Sequence, residues 1–158
     1  MTTENLVETT LSFIGKEVTS SSPRKLTVFS PAKGKSIAEV PLSTASELDE
    51  IVNVAAAAAK DWGKKTVKDR VQIMFRFHQL VSENLEKLAE LCSLENGKTL
   101  GEARAEVAKG IECIEFACSL PQLAHGQVLE VSRGVECKSI RQPIGVVAGI
   151  SPFNFPSM

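Results

Sequence analysis

The sequence predicts an α/β fold that opens on a β-hairpin, runs through several amphipathic helices and returns to strand. Three observations carry this expectation. Residues 24–40 hold two extended segments around a Pro- and Gly-containing turn. Residues 44–121 show helical spacing behind repeated capping signals. Residues 144–150, Ile-Gly-Val-Val-Ala-Gly-Ile, form an unbroken apolar run closed by prolines. Such a run, bounded by turn signals, has the pattern of a strand buried on both faces.

Residues 1 to about 43 read as short extended segments. Ser20-Ser21-Ser22-Pro23 is a break, Leu26-Thr27-Val28-Phe29 is strand-like, and Ser30-Pro31-Ala32-Lys33-Gly34-Lys35 is a turn. Ser36-Ile37-Ala38-Glu39-Val40 alternates as the second arm of a hairpin should. Thr44-Ala45-Ser46-Glu47 then has capping-box spacing. Leu48, Ile51, Val52, Ala55, Ala59 and Trp62 share one face of the helix it opens, and Gly63 is expected to end it. The alanine run is too small-sided to form a core alone, so another helix is expected to approach there.

A second helix is expected from Thr66, with Arg70, Ile73, Met74, Phe77, Leu80 and Val81 in helical register. Ser82-Glu83-Asn84 should interrupt it. A third helix carries Leu85, Leu88, Leu91 and Cys92 to a Gly97 terminus. Thr99-Leu100-Gly101-Glu102 is a second capping box, opening a fourth helix with Ala103, Val107, Ile111, Ile114 and Cys118 on one face and an end near Pro121. Lysines and glutamates along these helices read as solvated faces. Residues 128–131 and 135–141, around Arg133-Gly134, read as a second hairpin.

Composition sets the class. The chain has 158 residues, 43% of them apolar and 23% charged, with a net charge of −1. That is the make-up of a folded domain. It gives no reason to expect nucleic acid or a membrane surface as partner. No apolar run is long enough to span a bilayer. The acidic start, Met1-Thr2-Thr3-Glu4, lacks a secretory or mitochondrial signal. A cytoplasmic protein is expected, or a mitochondrial one if a presequence has been omitted. Cys92, Cys113, Cys118 and Cys137 lack zinc-knuckle spacing, so no metal site is expected and the four read as reduced packing residues.

Among short motifs, Gly97-Lys98-Thr99 ends like a P-loop, but Cys92 stands where the first glycine belongs and the upstream element is helical. Gly145-Val146-Val147-Ala148-Gly149 precedes no GxGxxG, so the usual dinucleotide fingerprint is absent. Asn154, between Phe153 and Phe155 and framed by Pro152 and Pro156, lies past the carboxyl end of the predicted strand. Open α/β sheets bind ligands there, although Asn also suits a turn by itself.

Residues 143–156, Pro-Ile-Gly-Val-Val-Ala-Gly-Ile-Ser-Pro-Phe-Asn-Phe-Pro, closely resemble the first cofactor-domain strand and turn of the NAD(P)-dependent aldehyde dehydrogenase superfamily. Phe29-Ser30-Pro31-Ala32-Lys33-Gly34 resembles its early "NPATGE" turn, and Glu95-Asn96-Gly97-Lys98 its "E-x-G-K" helix end. Phe153-Asn154-Phe155-Pro156 and Phe116-Ala117-Cys118-Ser119 are similar to the methylmalonate-semialdehyde dehydrogenase branch, which acylates coenzyme A.

The resemblance implies that Asn154 donates a hydrogen bond to the oxyanion formed when a cysteine thiolate attacks a small aldehyde. It implies that Ile150, Ser151, Pro152 and Phe153 line NAD. It puts Lys109 where the branch often has an arginine for the substrate carboxylate; lysine keeps the charge and loses the bidentate fork. It divides the chain into a hairpin and helical part over residues 1–127, an oligomerisation-type hairpin over 128–142 and the first cofactor-domain strand and turn over 143–158. A homo-oligomer is implied for the full-length protein. None of the four cysteines matches the nucleophile, so the chain is expected to be the opening third of the enzyme and inactive alone. A rival reading is an interaction module whose exposed strand and hairpin pair with a full-length dehydrogenase. An unrelated helical binding domain would leave the terminal motif unexplained.

Overall fold

Helices fill the middle of the chain and hairpins flank them. A computed structural model describes residues 7–8, 12–13 and 17–158. Short strands β1 (Val7–Glu8), β2 (Ser12–Phe13) and β3 (Glu17–Val18) precede the hairpin of β4 (Lys25–Ser30) and β5 (Lys35–Pro41). Then follow α1 (Ala45–Lys64), α2 (Val67–Glu83), α3 (Leu85–Asn96), α4 (Leu100–Cys118) and the single turn α5 (Leu120–Leu123). A second hairpin joins β6 (Gln127–Ser132) to β7 (Val135–Ser139).

The first hairpin forms where the alternating pattern expects it. β4 and β5 run antiparallel, with a bulge at Val28/Phe29, and β1 adds in parallel on the other side of β5. Gly34, at φ +62°, closes the turn. Ser30 is fully buried, and its hydroxyl donates to the Leu94 carbonyl at 2.7 Å. That contact seats the sheet on the last turn of α3.

The helix boundaries follow their caps. In α1 the Thr44 hydroxyl accepts from the Glu47 N–H, and the Glu47 carboxylate accepts from the Thr44 N–H. Thr99 and Glu102 repeat the arrangement in α4. The break expected at residues 82–84 falls at Asn84, whose amide caps α2 by donating to Leu80 O at 2.8 Å. α1 continues to Lys64, one residue past Gly63, because Gly63 keeps a negative φ and nothing there reverses the chain. Pro121 lies in α5, after Ser119 has ended α4. Among the described residues no helix is long and apolar enough to cross a membrane.

The core is small and lies between α2, α3 and α4. Ala89, Cys92, Ala103 and Val107 are buried together, with Val81, Leu85, Leu88, Leu100 and Ile111 packed around them. Small residues at the centre let α3 and α4 approach closely. Gly97 makes the reversal between them at φ +84°, and a Cβ there would sit 3.1 Å from Pro31 Cβ. Both its conformation and its contact therefore demand glycine.

Two expectations fail, for one reason. Residues 144–150 form no strand, and Ile144, Val147 and Ile150 are 88, 70 and 97% exposed. A buried strand must pair its backbone groups with neighbours on both sides, and no described strand lies beside this run. No helix covers the alanines of α1 either, and α1 has no buried residue. Instead Ala55, Ala59 and Trp62 face Gly145–Val147 across an open apolar groove of ≈630 Å³. The β6–β7 hairpin forms as expected, yet every residue in it is exposed. Its base is tight: a Cβ on Gly126 would lie 2.0 Å from Ser139 O.

Two outcomes follow from this architecture. Gly97→Ala should destabilise the chain by about 1–2 kcal/mol for the left-handed backbone alone, with more from the Pro31 contact, read by urea unfolding. Glu47 is the second case. The Thr44 N–H, the Ser20 hydroxyl and the Ser21 N–H bond its carboxylate and lower its pKa from 4.5 to about 2. A folded-state pKa below the unfolded one adds stability that is full above 4.5 and lost as pH falls towards 2. The amide shift of Ser21, which donates to Glu47 at 2.8 Å, should therefore titrate near pH 2. A midpoint near 4.5 would show that these bonds do not hold in solution.

Candidate functional site

The site grows from the corner between α3 and α4. After Gly97 turns the chain, Asn96 and Lys98 stand at the end of α3, and Glu106 lies two turns along α4. Opposite them residues 152–155 make a turn in which the Phe155 N–H donates to Pro152 O at 3.3 Å. Phe153 and Asn154 are the central residues of this turn, and asparagine suits such a place.

The corner holds the turn by its backbone. Asn96 Nδ2 donates to Phe153 O at 2.9 Å, and Lys98 Nζ donates to Asn154 O at 2.8 Å. The same ammonium lies 5.0 Å from the centre of the Phe155 ring, a cation–π contact. Further along, Ser157 N–H and Met158 N–H both donate to Glu106 Oε1, at 2.7 and 3.3 Å.

Glu106 is the hub. It is 4% exposed, and its second oxygen accepts from Lys98 Nζ and from the Cys92 thiol. Burial alone pushes a carboxyl pKa up. Here the bonds from Lys98, Ser157, Cys92 and Met158 outweigh burial, and Glu106 ends below the ordinary carboxylate value. Lys98 moves up, chiefly through its bond to Glu106. Both shifts favour the charged pair. Cys92 is pushed up by burial first and by its bond to Glu106 second, so it is a protonated donor rather than a nucleophile.

The residues singled out in the sequence occupy two neighbouring places. Ile150, Ser151, Pro152, Phe153 and Asn154 are contiguous and exposed. Nothing among the described residues pairs with the Asn154 side-chain amide, which is open to a ligand. Ile150 and Phe153 are 97 and 91% exposed, and the backbone groups of Ile150 and Ser151 are open among the described residues. Apolar faces beside free backbone donors and acceptors fit a nicotinamide ring and its carboxamide. Lys109 lines an open cleft of ≈460 Å³ with Lys98, Glu106 and Phe155, beside the turn. Its ammonium is paired with Glu112 at 2.5 Å and its pKa is raised by that bond. The cleft brings Lys109 to Phe155 rather than to Asn154 itself.

Several expectations need correction. Glu106 is not on a solvated face: its side chain is 1% exposed, and it pairs with Lys98, 13% exposed, from the junction after α3. The signal lay in the register, since Glu106 falls within the apolar stripe between Ala103 and Val107. Of the four cysteines only Cys92 packs in the core, while Cys113 and Cys137 are exposed because α4 and β7 turn those faces to solvent. Among the described residues no group of three or more His, Cys, Asp or Glu side chains could hold a metal.

Known proteins are similar to this chain in sequence and fold. Malonate-semialdehyde dehydrogenase 2 of Bacillus mycoides is 49% identical over 96% of the chain and 32% of its own length. A crystal structure of methylmalonate-semialdehyde dehydrogenase from Oceanimonas doudoroffii superposes with a TM-score of 0.86 at 35% identity, over 91% of this chain and 30% of that one. A Sinorhizobium meliloti structure, described as the same type of enzyme and solved with NAD, gives 0.86 at 37% identity, over 91% of this chain and 30% of that one. The chain thus spans about a third of the length of the relatives it matches. The aldehyde dehydrogenase family model covers residues 18–158, and the chain belongs to the aldehyde dehydrogenase family.

Proposed function

We propose that the chain supplies the N-terminal portion of an NAD-dependent, CoA-acylating dehydrogenase acting on malonate or methylmalonate semialdehyde. The carrying observation is an unpaired Asn154 amide on a turn whose backbone is held from one side. Its N–H donates to the carbonyl oxygen of the aldehyde as that oxygen gains charge, a group preorganised before reaction. Ile150, Ser151, Pro152 and Phe153 offer a surface against which the nicotinamide lies. When bound beside these residues, NAD would supply the hydride acceptor, and coenzyme A would take the acyl group with loss of carbon dioxide. Lys109, on the adjacent cleft wall, attracts the substrate carboxylate and shares its charge with Glu112. Residues 1–127 form the hairpin and helical part, and 143–158 the first strand and turn of the cofactor sheet once neighbours flank it.

A second reading, association with another chain, draws on the β6–β7 hairpin. Val128, Leu129, Val131 and Val135 are all more than half exposed there. An arm with apolar side chains and open strand edges favours pairing with a partner subunit, so residues 128–142 serve the homo-oligomer of the full-length enzyme.

The test grafts residues 1–158 onto the remaining two thirds of the Bacillus mycoides relative. With NAD, CoA and malonate semialdehyde, the grafted enzyme should form NADH, and Asn154→Ala should lower kcat by about 10²–10³. An Asn154→Ala enzyme with full kcat would refute the assignment. Lys109→Met should raise KM for malonate semialdehyde, but not for propanal, by up to roughly fivefold, the scale of a solvent-screened charge contact. The 158-residue chain alone should form no NADH, because its buried cysteine is protonated and its other three lie outside the turn.

A further inference from the structure

We infer that Asn96, Lys98 and Glu106 are positioning residues for Asn154: the α3–α4 corner fixes the backbone on both sides of that residue and leaves its amide free. The inference rests on the reading of Asn154 as the donor to the oxyanion.

The contacts bracket a single position. Phe153 O is held by Asn96, Asn154 O by Lys98, and the amides of Ser157 and Met158 by Glu106. The Phe155 ring lies against the Lys98 ammonium. Apart from that ring, every contact is to main chain, so the corner sets where the turn lies. The clamp is itself anchored, because Glu106 and Cys92 belong to the packed face that includes Ala103 and Val107.

The contacts at Phe153 and Asn154 are polar and go to main-chain oxygens. Phe153 stays 91% exposed although its carbonyl is held, so the contacts at residues 153 and 154 fix main chain without burying that side chain. Lys98 and the amide of Asn96 thus hold the main chain on either side of the Asn154 side chain. What they secure is location. A donor to a developing charge needs that, since a displacement of 1 Å can cost about 10²-fold in rate.

The grafted dehydrogenase tests this with Lys98→Met, Lys98→Arg, Asn96→Ala and Asn154→Ala. Lys98→Met should lower kcat per NAD-binding site by roughly 10- to 100-fold with the aldehyde KM little changed. Lys98→Arg, which restores a cation at the same place, should recover most of the loss. Asn96→Ala should act in the same direction more weakly, and it serves if Lys98→Met fails to fold. In the 158-residue chain, Lys98→Met should speed hydrogen exchange at the Phe155 amide. A merely structural role would reduce the amount of folded enzyme and leave kcat per NAD-binding site alone. Unchanged kcat in both Lys98→Met and Asn96→Ala, beside a crippled Asn154→Ala, overturns the positioning role and spares the oxyanion reading. Full kcat in Asn154→Ala overturns that reading instead, and the positioning role with it.

Discussion

A buried carboxylate organises the C-terminal half of this chain. Glu106 accepts four hydrogen bonds, two from the core side and two from the backbone of residues 157 and 158. Ionised carboxylates are seldom buried unless paired and hydrogen-bonded. Here the pairing joins α3, α4 and the terminal segment at one point. Remove the Lys98 partner and the charge is left to a thiol and two amides. Remove the carboxylate and a cation, a thiol and two N–H groups lose their acceptor together.

The helical framework was legible because local chemistry decides it. Thr44/Glu47 and Thr99/Glu102 are self-contained capping boxes, and Gly97 stops α3 by its own backbone freedom. The β4–β5 hairpin was likewise written in alternation and a Gly-containing turn. Residues 144–150 were misread because β structure is a property of neighbours. Their apolar run specifies a place between strands, and without such strands the same residues form no strand and stay exposed. The uncovered alanine face of α1 is the same problem on a helix.

The site was legible in part. Asn154 and its flanking residues stood out as a motif, and the structure keeps them contiguous, with the side-chain amide open. What holds them was not visible. Glu106 looked like an ordinary helix-surface charge and Lys98 like part of a helix end, because a pairwise contact across 51 residues leaves no trace in local spacing. Only the position of Glu106 inside an apolar stripe marked it as unusual. Lys109, chosen by resemblance, is near the turn but engaged with Glu112, so its charge is already shared.

The long separation between Glu106 and its last two donors has a consequence for biosynthesis. The ribosome makes the carboxylate 51 residues before the Ser157 amide that helps satisfy it. At roughly 5–20 residues per second this gap lasts about 3–10 s. During that interval the α3–α4 unit can pack around Lys98 and Cys92, but Glu106 Oε1 lacks both of its main-chain donors. Arrival of the Pro152–Met158 stretch supplies those two donors, so the carboxylate gains its full set of partners only when the segment that carries Asn154 has been made.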